Sequence, residues 1–124
     1  MHPKSFALQL KNKLDFKPTQ SQLIWFSEIS NFILSKDLNS VFLLKGYAGS
    51  GKTTLLGSLV HQLNTINFKA VLIAPTGRAA KVMSSYSNHP AHTIHKQIYN
   101  TKSESTGNLI FQLKKNKYKN AIFI

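Results

Sequence analysis

Apolar and polar positions alternate along the chain in blocks that switch between helical and strand spacing. Phe6, Leu10 and Leu14 recur four apart, which predicts a short helix over 4–14 with one apolar face. The stretch "FKPTQSQ" interrupts it, because Pro18 drives Lys17 toward an extended backbone. Thr19 followed three residues later by Gln22 has the form of a capping box, and Phe26, Ile29 and Ile33 continue at helical spacing, so 20–35 reads as a helix. "KDLNS" then reads as a turn. "VFLLK" at 41–45 and "AVLIA" at 70–74 are apolar at successive positions, the pattern of parallel strands covered on both faces. Between them come a glycine-rich loop and a helix over about 52–64. Pro75 ends the second run, and "TGRAAKVMS" reads as a helix with Thr76 near its cap. "TIHKQIY" at 93–99 suggests a further short helix capped by Thr93, "TKSESTGN" a loop, "LIFQL" a strand or half of a hairpin, and "AIFI" at 121–124 one more buried strand. Alternation of this kind predicts an α/β fold with a parallel sheet flanked by helices. Residues 1–17 form a lead-in helix and 18–124 the domain proper.

Charge sharpens this picture. The chain has 124 residues, with 16 Lys and Arg against 4 Asp and Glu, a net charge of +12. Such an excess favours a polyanionic partner, nucleic acid above all. The carboxylates are Asp15, Glu28, Asp37 and Glu104, so a single one follows residue 37. No apolar run is long enough for a helix to span a membrane, and the first residues lack a secretory signal pattern. The absence of cysteine removes disulfide and thiolate chemistry and fits a cytoplasmic location.

The chemistry concentrates in "GYAGSGKT", residues 46–53, which matches glycine, four residues, then Gly-Lys-Thr. Gly46, Gly49 and Gly51 let the backbone turn so that successive N–H groups face inward as an anion nest, and the next helix aims its positive end at the same point. Lys52 reaches the β- and γ-phosphates of a nucleoside triphosphate, and the Thr53 hydroxyl is a ligand for Mg²⁺. Tyr47, Ala48 and Ser50 complete the loop, and Thr54 extends the set into the helix. The motif alone does not separate kinase, GTPase, helicase and transporter ATPase. "LIAPTGRAAK" leaves the second strand at the end where parallel sheets bind ligands. There Thr76, the opening N–H groups of the next helix, Arg78 and Lys81 have the makings of a phosphate site, with a capped surface helix bearing two solvated cations as the equal alternative. "HPAHTIH" spaces His89, His92 and His95 by three, which raises a metal site. With no cysteine, no carboxylate close in sequence and Pro90 breaking any shared helix, a polar loop with one outward-facing histidine is preferred.

Taken in order, "GYAGSGKTTLL", "APTGRAAKVM" and "HTIHKQI" resemble the RecD-like branch of superfamily 1 DNA helicases, from about Pro18 to Ile124. The resemblance implies a P-loop NTPase fold of RecA type. It implies ATP and Mg²⁺ as cofactors and single-stranded DNA as partner. It also implies an adenine-reading glutamine at Gln22, with Gln20 the competing choice and helix capping the alternative role for Gln22. Thr76, Gly77 and Arg78 match a motif that touches the DNA backbone, and Thr93 and His95 match a later motif on the same path.

In that family an Asp-Glu pair follows a strand like "AIFI", holding Mg²⁺ and activating water. After Lys52 this chain offers only Glu104, in a polar loop. The expectation is therefore an incomplete first motor domain, ending before its catalytic carboxylates and lacking the rest of the motor of a parent 5′-to-3′ helicase. Alternatives are a stand-alone basic module that binds nucleotide or nucleic acid, supported by Lys114, Lys115, Lys117 and Lys119, and another P-loop enzyme such as a kinase or nucleotidase.

Overall fold

The computed structural model describes residues 1–35, 37 and 39–124. In chain order the elements are α1 (Pro3–Lys11), α2 (Gln20–Leu34), α3 (Lys52–Thr65), β1 (Lys69–Ala74), α4 (Gly77–Ser87), β2 (Ala91–Thr93), α5 (Ile94–Ile98), β3 (Tyr99–Ser103), β4 (Leu109–Leu113) and β5 (Ala121–Phe123). They fall into two compact units, Met1–Gln62 and Leu63–Ile124.

The first unit is helical. Pro3 opens α1, where its missing N–H does no harm, and the His2 ring accepts from the Lys4 N–H. Phe6 and Leu10 have no exposed surface, and α1 packs on α2. Leu14 lies beyond the end of α1, so the apolar stripe is one turn shorter than its spacing predicts. At Thr19 both capping-box bonds form: its hydroxyl accepts from the Gln22 N–H at 3.3 Å, and the Gln22 carboxamide oxygen accepts from the Thr19 N–H at 2.9 Å. The helix then buries Trp25, Phe26, Ile29 and Ile33 along one face, with the two rings of Trp25 and Phe26 meeting edge-on at 5.3 Å. Each large apolar side chain buried in this way contributes about 1.5–3 kcal/mol. Of the turn read over 36–40, Lys36 and Leu38 lie outside the described residues; Asn39 donates its N–H to the Asp37 carboxylate at 3.0 Å, and the Ser40 hydroxyl donates to the Asp37 carbonyl.

The strand expected at 41–45 is not formed. Val41 is 89% exposed and Leu43 71%, whereas Phe42 and Leu44 are half-buried and the Phe42 ring sits 5.5 Å from that of Phe32. A parallel strand is defined by its ladder, and among the described residues of Met1–Gln62 there is no other strand to supply one. An apolar run that finds no partner forms no ladder, and here it half-buries Phe42 and Leu44 only.

The second unit carries the sheet. Strand β1 is central and parallel to both neighbours, in the order β2-β1-β5. Leu72, Ile73 and Ala74 face Ala91, His92 and Thr93 of β2, while Lys69, Ala70 and Val71 face Ala121, Ile122 and Phe123 of β5. Four of the six residues of β1 are buried on alternate and successive positions, which a strand covered on both faces requires. Helices α4 and α5 pack against β1 and β2. The α/β class with a parallel sheet flanked by helices is therefore present, with a different third strand: β2, read as part of a polar loop, takes a place in the sheet. Its polar sequence "AHT" hides it, because its strand state comes from β1.

Residues 99–113 form an antiparallel hairpin, with Tyr99 opposite Leu113 and Ser103 opposite Leu109. The loop expected from Thr101 onward is half strand, since "TKS" pairs with the apolar "LIF". The turn closes through Glu104 N–H to the Asn108 carbonyl at 2.9 Å and Gly107 N–H to the Glu104 carbonyl at 3.0 Å, with Gly107 at φ 83°. Every residue of β4 is exposed. No helix among the described residues is long and apolar enough to cross a membrane.

Candidate functional site: a phosphate loop and a sheet edge

Residues 46–53 form a tight loop running into α3. Gly49 and Gly51 sit at φ 76° and 85°, in the left-handed region that favours glycine. Gly46 answers to a different constraint: a Cβ there would lie 2.7 Å from the Ser50 hydroxyl. The first helical bond of α3 runs from Leu55 N–H to the Gly51 carbonyl at 3.0 Å. The N–H groups of Lys52, Thr53 and Thr54 therefore precede the ladder and have no acceptor within the helix. Thr53 and Thr54 are exposed there, as are Tyr47, Ala48 and Ser50.

The Lys52 ammonium is folded back over this loop. It donates to the Gly46 carbonyl at 2.6 Å, to the Tyr47 carbonyl at 2.5 Å and to the Ser50 hydroxyl at 3.3 Å. One positive charge is thus held by the loop's own carbonyls, beside Gly46, where a Cβ has no room. An anion at the turn would meet that ammonium, the N–H groups of Lys52, Thr53 and Thr54 that precede the ladder, and the positive end of a fourteen-residue helix. This arrangement fits the phosphates of a nucleotide. For Mg²⁺ the loop offers the Thr53 hydroxyl, and phosphate oxygens and water make up an octahedral shell in sites of this type.

Gln22 is buried, and the Nε2 end of its carboxamide donates to the Ser50 carbonyl at 3.5 Å. Gln20, the competing candidate, is exposed at the first position of α2. The link between Gln22 and the loop joins positions 28 apart, which no local sequence signal announces.

In the second unit the remaining candidates gather at the carboxyl edge of the parallel sheet. Ala74 of β1 pairs with Thr93 of β2, and both strands end there. Thr76 caps α4 by accepting from the Ala79 N–H, and Thr93 caps α5 by accepting from the Lys96 N–H, each at 3.2 Å. Two helices therefore begin side by side at one edge. Gly77, Arg78 and Lys81 are exposed on the first turns of α4. His95 is exposed, its ring 5.8 Å from that of Tyr99. The two threonines, read as DNA contacts by resemblance, serve here as helix caps, and both caps are legible from sequence.

The histidine series comes apart. His89 bonds the Ala70 carbonyl at 3.1 Å, His92 is in β2 and His95 in α5. Among the described residues no three His, Cys, Asp or Glu side chains are placed to hold a metal ion. Glu104 lies in the hairpin turn and accepts from the Thr106 hydroxyl at 3.2 Å. Two basic residues that sequence reasoning counted only as charge have specific partners: Lys114 donates to the Lys96 carbonyl at 2.5 Å, and Lys69 lies 4.9 Å above the ring of Tyr118, whose hydroxyl accepts from Gln97.

A family model described as an AAA domain matches residues 29–121. No solved structure matches the chain.

Proposed function

The chain belongs to the AAA domain family, and from that premise we propose that it is the ATP-binding segment of a 5′-to-3′ DNA helicase, which couples ATP hydrolysis to movement along single-stranded DNA and duplex separation. Membership of this family makes it a nucleotide-binding P-loop protein. The observation that carries the reading is the Lys52 ammonium held by the carbonyls of Gly46 and Tyr47 at the mouth of α3. When triphosphate enters, the ammonium exchanges those carbonyls for phosphate oxygens, which are charged and bind it more strongly. The loop N–H groups would then cradle the phosphates, and the Thr53 hydroxyl would be a ligand for Mg²⁺, whose chemistry when bound is to offset the charge of the phosphate oxygens.

The helicase part of the reading is supported by the sheet edge. A strand that exits through "APTGRAAK" brings a helix N-terminus, Arg78 and Lys81 to one edge, groups of the kind that contact a phosphodiester backbone without reference to base. Thr93 beside Ala74 extends that edge across a second strand. The net charge of +12 supplies the long-range attraction. The direction of travel is taken from the resemblance.

Titration of the purified chain with a fluorescent ATP analogue and Mg²⁺ tests the nucleotide half. Lys52→Ala is expected to weaken binding by roughly 10- to 100-fold, the effect of one charge-assisted contact; equal affinity in both proteins refutes the reading. The DNA half is tested with labelled oligonucleotides, where single strands are expected to bind in preference to duplex of equal length.

A further inference from the structure

We propose that Gln22 is a positioning residue of the phosphate loop, acting through Ser50 and Gly51. Both ends of its carboxamide are committed. The oxygen accepts from the Thr19 N–H at 2.9 Å, and the nitrogen donates to the Ser50 carbonyl at 3.5 Å. The side chain is buried, and its Nε2 stands 2.9 Å from where a Cβ on Gly51 would be. The amide as placed therefore ties the start of α2 to the loop.

The consequence for the site follows from peptide geometry. A trans peptide is rigid, and its C=O and N–H point in opposite directions. Holding the Ser50 carbonyl toward Gln22 therefore turns the Gly51 N–H away from α2. Gly51, at φ 85°, has a backbone that depends on such a contact to stay in one conformation. The capping box thus has two outputs. It starts α2, and by fixing χ angles of Gln22 it sets the direction of one N–H in the nest. This inference rests on the phosphate-binding reading of the same loop.

The test separates the two roles of Gln22. Gln22→Glu keeps an acceptor for the Thr19 N–H and loses the donor to Ser50; Gln22→Met, neutral and close in length, is run beside it so that added charge is not the cause of any change. Thr19→Ala removes the reciprocal cap and leaves the Gln22 contact in place. Amide hydrogen exchange over 46–54 is measured first, without ligand. The expected result is exchange faster by about three- to tenfold in both Gln22 variants, the loss of one hydrogen bond, and unchanged in Thr19→Ala even where its melting temperature falls. ATP and inorganic tripolyphosphate are then titrated into each protein, and both affinities are expected to fall by the same factor in the Gln22 variants. Loss of ATP affinity with tripolyphosphate untouched assigns Gln22 to the base and overturns the proposal. Equal loop exchange in Thr19→Ala and the Gln22 variants reduces Gln22 to a helix cap and overturns it too. A wild-type chain that binds neither ligand, yet shows the exchange pattern expected, refutes the phosphate-binding reading while leaving the Gln22–loop coupling intact.

Discussion

Glycines and a lysine decide what the loop can hold. Gly51 has a positive φ and no room toward Gln22, so Gly51→Ala meets backbone strain and a close approach at once. We expect it to lower stability by about 1–3 kcal/mol, read as a shift in the urea midpoint, and to weaken triphosphate binding beyond what partial unfolding accounts for. Gly49 has a positive φ but nothing within 4 Å of its missing Cβ, so Gly49→Ala is expected to be the milder change of the two in the same titration. The residues of this loop were legible in sequence because their spacing is local and their chemistry fixed. Ser50 gained its place only with the fold: its carbonyl meets Gln22, and its hydroxyl meets Lys52 and crowds Gly46.

Among the elements, helices revealed themselves and strands did so unevenly, for one physical reason. A helix cap is satisfied within four residues, so Thr19, Thr76 and Thr93 announced α2, α4 and α5 before any fold was known. Thr76→Ala is expected to cost about 1 kcal/mol, measured by thermal melting. A strand is completed by a distant partner. The buried β1 could be read from composition because both its faces are covered, but "AHT" and "TKS" are strands only by virtue of what they pair with. The converse holds for "VFLLK", whose apolar residues favour a strand that its own unit does not complete. In α1, the packing of Phe6 against α2 rests on a side chain with no exposed surface. Phe6→Ala is expected to destabilise the first unit by about 3–5 kcal/mol, observable as early loss of helical signal in a melt.

For the whole molecule the governing quantity is charge. Sixteen basic residues against four acidic ones leave few internal neutralising pairs, so most of the positive field faces solvent. If the proposed sheet edge binds single strands, log affinity falls linearly with log salt, by about 0.7 per phosphate neutralised. Arg78→Ala and Lys81→Ala are each expected to flatten that slope by roughly one contact while leaving base preference unchanged, read by fluorescence anisotropy at several ionic strengths. Over the same 124 residues one carboxylate follows Lys52, so the chain as given is expected to bind ATP without measurable phosphate release. Turnover abolished by Lys52→Ala is the result that contradicts this.

The bare apolar strand β4 has a practical outcome. Leu109, Ile110, Phe111 and Leu113 are presented to solvent in a two-stranded ribbon whose outer edges pair with no other strand among the described residues, an arrangement that recruits like chains into aggregates. What restrains this is electrostatic repulsion, with Lys114, Lys115 and Lys117 acting as gatekeepers immediately downstream. Added electrolyte shortens the reach of that repulsion to a few ångström near molar concentration. Preparations are therefore expected to turn turbid as sodium chloride is raised, and Phe111→Lys to keep them clear.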